Sequence, residues 1–140
     1  MSEFLHDFAR RFCALDKHNL VLLDELYSED VQFTDPLHQV SGLPALRSYF
    51  ADLYSNISEL AFDFHAFDTV REGEGYLRWN MGYRHPRLAK GRLIQVEGCS
   101  HLLWSEKVYR HRDYFDAGAL LYDHLPVLGW ATAWLKRRMT

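Results

Sequence analysis

Leu60-Ala61-Phe62-Asp63-Phe64-His65-Ala66 is the stretch on which the fold of this chain turns. Leu60, Phe62, Phe64 and Ala66 alternate with Ala61, Asp63 and His65, the period of a half-buried strand. Before it, the dominant period is helical. Phe4, Phe8, Phe12 and Leu15 recur at spacings of four, four and three, which predicts an amphipathic helix over 3–15 capped by Ser2. Asp16-Lys17-His18-Asn19 breaks that stripe. Asn19 then caps a second, short helix through Leu26, with Leu22, Leu23 and Leu26 turned inward. A third helix is predicted over 43–55 behind Gly42, with Leu43, Leu46, Phe50 and Leu53 on one side. Pro44 falls in its first turn, where a missing N–H costs nothing. Between these helices Val31 and Phe33 read as a short strand, ended by Asp35-Pro36 because proline lacks a donor and restricts its predecessor.

After the alternating stretch the period stays at two. Strands are predicted over 74–85, 92–104 and 107–116, the first two separated by Pro86 to Gly91. Ser105-Glu106 reads as a two-residue hairpin between the last two. A meander of this kind buries a face only if something covers it, and the helices are the available cover. Beyond Asp116 the chain is apolar and helical again, interrupted by Pro126 and Gly129 before Trp130, Trp134 and Leu135. The expected architecture is α+β: a cone-shaped roll of a curved antiparallel or mixed sheet packed against N-terminal helices, enclosing a pocket.

Length and composition agree with this. A chain of 140 residues is expected to form one domain over 1–140, burying roughly 65–70% of its extended surface. Aromatic residues make up 15%, which favours broad sheet faces or a ring-lined pocket over a small helical bundle. With 16 basic and 19 acidic residues the net charge is −3, so the basic surface that nucleic-acid phosphates require is missing. The basic stretches, Arg84 to Arg92 and Lys136-Arg137-Arg138, read as solvated faces. Cys13 and Cys99 are expected to be buried thiols in a reducing compartment. No apolar run reaches membrane-spanning length, and Met1-Ser2-Glu3 does not open a secretory leader. A cytoplasmic protein that does not act on membranes or nucleic acid is the expectation.

The chemistry concentrates in a few places. No P-loop, dinucleotide fingerprint, zinc-ligand spacing or nucleophile elbow is present, so neither a cofactor nor a metal is expected. Asp35 follows the apolar strand Val31-Gln32-Phe33. It reads either as a turn aspartate taking backbone N–H bonds or as a carboxylate suited to proton transfer in an aromatic pocket. His111-Arg112-Asp113-Tyr114-Phe115-Asp116 holds four ionisable side chains besides its tyrosine, with His111, Asp113 and Phe115 on one strand face. That face reads as a cavity wall or, equally, as part of an exposed ion-pair ladder. Arg78 and Asn80 share a face of the preceding meander, with Trp79 and Met81 on the reverse. If Arg78 and Asn80 faced Asp113 they would complete a polar cluster able to bind an anionic group. The face bearing Trp79, Met81 and Tyr83 would then be outward, a surface for dimerisation alongside Trp130 and Trp134.

The chain resembles the nuclear-transport-factor-2-like superfamily, in its SnoaL-like branch, over nearly its whole length. The resemblance lies in the helical first third, in Tyr27-Ser28-Glu29-Asp30-Val31 leading to Phe33-Thr34-Asp35-Pro36, in Gly42 before a helix, and in Arg112-Asp113-Tyr114-Phe115-Asp116. It implies a cystatin-like cone used by isomerases, cyclases, hydrolases and binding modules alike. Compared with ketosteroid isomerases, Asp35 matches the proton-shuttling aspartate, while Arg11 and Ser100 stand where the oxyanion-binding tyrosine and acid would be. Compared with limonene-epoxide hydrolases, Arg78 and Asp113 match, while Asn80 replaces the water-activating aspartate. The resemblance implies a pocket and a homodimer, and the abundance of rings with these incomplete catalytic sets points to a small apolar or anionic metabolite as the ligand. Asp35 and Asp113 are the candidate catalytic residues. Arg78, Asn80, Ser100, His111, Tyr27 and His38 are the candidate substrate-binding set. Acid–base isomerisation or hydrolysis, non-catalytic ligand binding, and a purely interacting role all stay open.

Overall fold

The computed structural model describes residues 3–86, 91–116 and 137–139. It is a mixed α+β fold in which helices cover one face of a curved six-stranded sheet. Helix α1 spans Glu3–Cys13, a 3-10 turn Leu20–Leu22 and a short helix α2 Leu23–Leu26 follow, and α3 spans Leu43–Asn56. The strands are β1 (Tyr27–Thr34), β2 (Gln39–Ser41), β3 (Ser58–Arg71), β4 (Glu74–Arg84), β5 (Ile94–Trp104) and β6 (Val108–Phe115). Their order in the sheet is β2-β1-β6-β5-β4-β3. All pairings are antiparallel except β1 with β6, which is parallel and makes the sheet mixed.

The predicted stripe of α1 holds at Phe8 and Phe12, with Phe4 half-buried, but the helix ends at Cys13, short of Leu15. Leu5, Phe8, Ala9 and Phe12 are buried, while Asp7, Arg10 and Arg11 pair with one another in solvent. Phe12 meets Phe50 of α3 and Phe62 and Phe64 of β3 edge-on, so one ring ties two helices to the sheet. Asn19 holds the N-cap position of the 3-10 turn but makes no side-chain cap bond there. Its side chain donates to the Ala14 carbonyl and accepts from the Asp16 N–H, closing the loop instead. Gly42 enters α3 at φ +89°, a conformation that favours glycine, and Pro44 sits in the first turn.

Several expectations needed correction. The β1 strand is longer than Val31 to Phe33 because its parallel pairing with β6 begins at Tyr27↔Val108. The alternating stretch is the middle of a 14-residue strand. The face of β4 carrying Leu77, Trp79, Met81 and Tyr83 is buried against the helices, so it is not an outward dimerisation surface. Cys13 is exposed and Cys99 half-buried, rather than both being core thiols. Ser2, Trp130, Trp134 and Leu135 lie outside the described residues. Among the described residues no helix is long and apolar enough to cross a membrane.

Candidate functional site

The register of the sheet sets the inner face residue by residue. Gly98 pairs with Trp79 and Phe115, Ser100 with Leu77 and Asp113, and Leu102 with His111. Alternation therefore points His111, Asp113 and Phe115 to the same side as Ser100, Trp79 and Met81. Among the described residues the buried polar set is Asp35, Ser100 and His111, all of them nominated by the sequence. Gly98 makes room for this arrangement, because any Cβ there would run into the Trp79 indole.

A continuous hydrogen-bond chain runs through the inner face. Trp79 Nε1–H donates to Ser100 Oγ at 2.9 Å, and Ser100 donates to Asp113 Oδ1 at 2.5 Å. His111 Nε2 meets the same Oδ1 at 2.7 Å, while its Nδ1 lies 2.8 Å from the Tyr27 hydroxyl. Donor and acceptor roles close consistently with a neutral His111. With Asp113 ionised, His111 donates from Nε2 and accepts from Tyr27 at Nδ1. Burial, reinforced by the nearby Asp113 charge, pushes the Tyr27 phenol far above its usual range, so Tyr27 remains a donor. Asp113 Oδ1 thus takes two donors and Oδ2 neither of them.

Asp35 is held differently. Its Oδ1 accepts the backbone N–H groups of Leu37 and His38 at 2.8 and 2.7 Å, with His38 Nδ1 at 3.2 Å. Its Oδ2 accepts the Tyr49 hydroxyl at 2.6 Å. The Asp35 N–H returns to the His38 carbonyl, so the segment is a closed turn built around the carboxylate. The turn-aspartate reading of Asp35 describes this geometry, and the residue also stands in the wall of an aromatic cavity. Burial first, then the bond to Asp35 and the charges of Asp35 and Asp113, push the Tyr49 phenol well up.

The two acids line one cavity of about 190 Å³. Carried one step past the paired residues Thr34↔Arg112, the β1–β6 register brings Asp35 level with Asp113. Phe33, Tyr49, Phe50, Trp79, Tyr83 and Phe115 supply about half of the remaining wall, and His38 joins it with half of its side chain exposed. A cavity of roughly 150 Å³ accommodates benzene, so this one suits a body of about one ring.

The structure brings together Asp35, His38, Tyr27, Ser100, His111 and Asp113, but not Arg78 and Asn80. Arg78 lies on the opposite face, paired with Asp68 at 3.3 Å, both side chains more than half exposed. Asn80 is exposed on the same outer face, level with Asp63 and Glu97. The expected anion-binding cluster is therefore split by the sheet itself. His101 bonds Glu74 at 2.8 Å and is level with Arg112. Sequence reasoning missed Tyr49 and Trp79. The signal for Trp79 was present: of two alternating faces, Leu77-Trp79-Met81-Tyr83 is the apolar one and belongs inside. Tyr49 adjoins the apolar stripe of α3 and reads there as one more ring.

Helices over one face of a six-stranded mixed sheet, with a ring-lined cavity between them, define a nuclear-transport-factor-2-like protein of ketosteroid-isomerase-like fold. The SnoaL-like domain model matches residues 8–109, and the chain belongs to that family. Among solved structures it is similar to TsrD from Streptomyces laurentii, with a TM-score of 0.72 at 17% identity over 87% of this chain and 94% of that one. It is similar too to a hypothetical protein with ketosteroid isomerase-like fold from Catenulispora acidiphila in complex with trimethylamine (TM-score 0.72, 13% identity, 87% and 92% covered). An NTF2-like protein of unknown function from Exiguobacterium is a third (TM-score 0.65, 13% identity, 81% and 98% covered). No curated protein matches the sequence. At these identities the likeness establishes the fold alone.

Proposed function

We propose that the chain binds a small, mostly apolar molecule in this cavity and exchanges a proton with it through Asp113, as an isomerase or hydrolase does. One observation carries the reading. Asp113 lines the cavity with Oδ1 fixed by Ser100 and His111, and neither bond touches Oδ2. A carboxylate held in one orientation with an oxygen to spare is what general acid–base catalysis needs within reach of a ligand. Tyr27 and His111 are positioning residues behind it. Asp35 acts as a fixed charge rather than the proton carrier, because its own turn and Tyr49 occupy both of its oxygens. That occupation also favours the alternative reading, a binding module with no chemistry. A protein of this fold in complex with trimethylamine supports small-molecule binding in either case.

The same reading takes the chain as one domain over 1–140, closed as a cone around the cavity, in a cytoplasmic homodimer. The outer sheet face, with exposed Tyr109 and Tyr114, is the surface offered to the second copy. A light-scattering mass of one chain contradicts the dimer.

Function is tested in two steps. Single-ring amines, ketones and carboxylic acids are screened by tryptophan fluorescence, and each binder is then incubated with protein in heavy water and followed by proton NMR. The expected result is saturable binding with deuterium uptake that falls about 100-fold in Asp113→Asn. Binding without uptake leaves the binding module standing. No binding across the screen contradicts the small-molecule reading.

A further inference from the structure

We infer that the cavity selects an organic cation, a substituted ammonium on a hydrocarbon body of about one ring, over its neutral and anionic counterparts. This rests on the small-molecule reading above and names the ligand class.

The charges come first. Among the described residues, the wall holds two carboxylates, Asp35 and Asp113, and no lysine or arginine. Its one basic side chain, His38, is half exposed and turned onto Asp35. Arg78, the residue on which an anionic ligand depended, lies across the sheet. An anion entering this space meets two like charges in a setting where water screens poorly, whereas a cation meets two opposite ones.

Donor direction points the same way. Tyr49 donates to Asp35, Trp79 to Ser100, and both Ser100 and His111 to Asp113 Oδ1. These donors already serve protein acceptors, so they do not form an oxyanion site. On Asp113 the Ser100 and His111 bonds both fall on Oδ1 and leave Oδ2, an acceptor, which stabilises positive rather than negative charge.

The rings supply the rest. Phe33, Tyr49, Phe50, Trp79 and Phe115 surround the same space, and aromatic faces attract a cation through their quadrupole, most strongly where water is excluded. A quaternary or tertiary ammonium suits such a wall because its charge is spread over methyl groups that pack on rings. Phe33 and Tyr49 lie 5.3 Å apart by centroids, and Tyr49 and Phe50 5.6 Å, so three of these rings already form one continuous surface. Asp35 and Asp113 then flank that surface as counter-charges.

The test uses three probes of one size: phenyltrimethylammonium, its neutral isostere tert-butylbenzene, and benzoate. Titration calorimetry on the full chain is expected to show the cation binding at least about tenfold tighter than the isostere, with benzoate not binding. Asp113→Asn is expected to weaken the cation about tenfold more than it weakens tert-butylbenzene. If that variant does not fold, Phe115→Leu, which removes a ring face, is expected to weaken the cation more than the isostere. Equal affinity for the two isosteres, or preference for benzoate, overturns cation selection and leaves the small-molecule reading intact. Failure of all three probes to bind overturns both.

Discussion

Asp113 shows how one side chain is divided between structure and ligand. Its Oδ1 belongs to the Ser100–His111 network, and its Oδ2 lies outside it. The network can be taken apart from its far end. Tyr27→Phe deletes the donor to His111 Nδ1 in a fully buried setting and is expected to cost about 1–3 kcal/mol in urea denaturation. A change within a few tenths of a kcal/mol of zero would mean that His111 does not depend on Tyr27. Gly98→Ala forces a methyl against Trp79, and the expected loss is again about 1–3 kcal/mol, with altered tryptophan fluorescence. At this scale the sequence was most informative where polarity interrupts an apolar setting. Asp35, His111 and Asp113 stood out that way, Ser100 through the family resemblance, and the four converge. Arg78 and Asn80 stood out for the same reason and were misplaced, because a polar pair on an alternating strand marks the solvent face as readily as a site.

Among the elements, periodicity did most of the predictive work. The helix of Phe4, Phe8 and Phe12 and the alternation from Leu60 to Ala66 are both where their spacing places them. Pairing is what spacing does not encode. Strand β2 has three residues and no pattern of its own, and it exists because Gln32, Phe33 and Thr34 provide a partner edge. The parallel β1–β6 pairing is equally invisible locally, yet it sets Asp35 level with Asp113. Helix α1 closes the core chiefly through Phe12, which also lines the cavity. Phe12→Ala is expected to cost about 3–5 kcal/mol by chemical denaturation. A loss below about 1 kcal/mol would show that α1 is not the lid of the core.

For the molecule as a whole, burial of tyrosines predicts how the fold responds to base. Burial pushes Tyr54 and Tyr83 up to about 12, and Tyr27 and Tyr49 shift in the same direction. Unfolded tyrosines ionise near pH 10, so above that the folded state binds more protons than the unfolded one. Tyr54 and Tyr83 therefore contribute their full stability below about pH 10 and lose it as pH rises through about 12. Denaturant midpoints should fall across that window, with the tyrosinate absorbance of the buried group appearing only as the fold is lost. A midpoint that stays flat to pH 12 would contradict the buried assignments. The α+β class was legible from long periodic segments, and the SnoaL-like family from its resemblance at Tyr27 to Pro36, Gly42 and Arg112 to Asp116. The ligand was not, because it depends on which strand face is inside.

The most direct test of the central claim, that Asp113 presents a carboxylate oxygen to a ligand inside the cavity, is carboxyl NMR on isotope-labelled aspartate during titration with phenyltrimethylammonium. The account predicts that the Asp113 resonance shifts saturably with occupancy while those of the outer-face residues Asp63 and Asp68 stay fixed. Saturable binding that leaves Asp113 unmoved would contradict it.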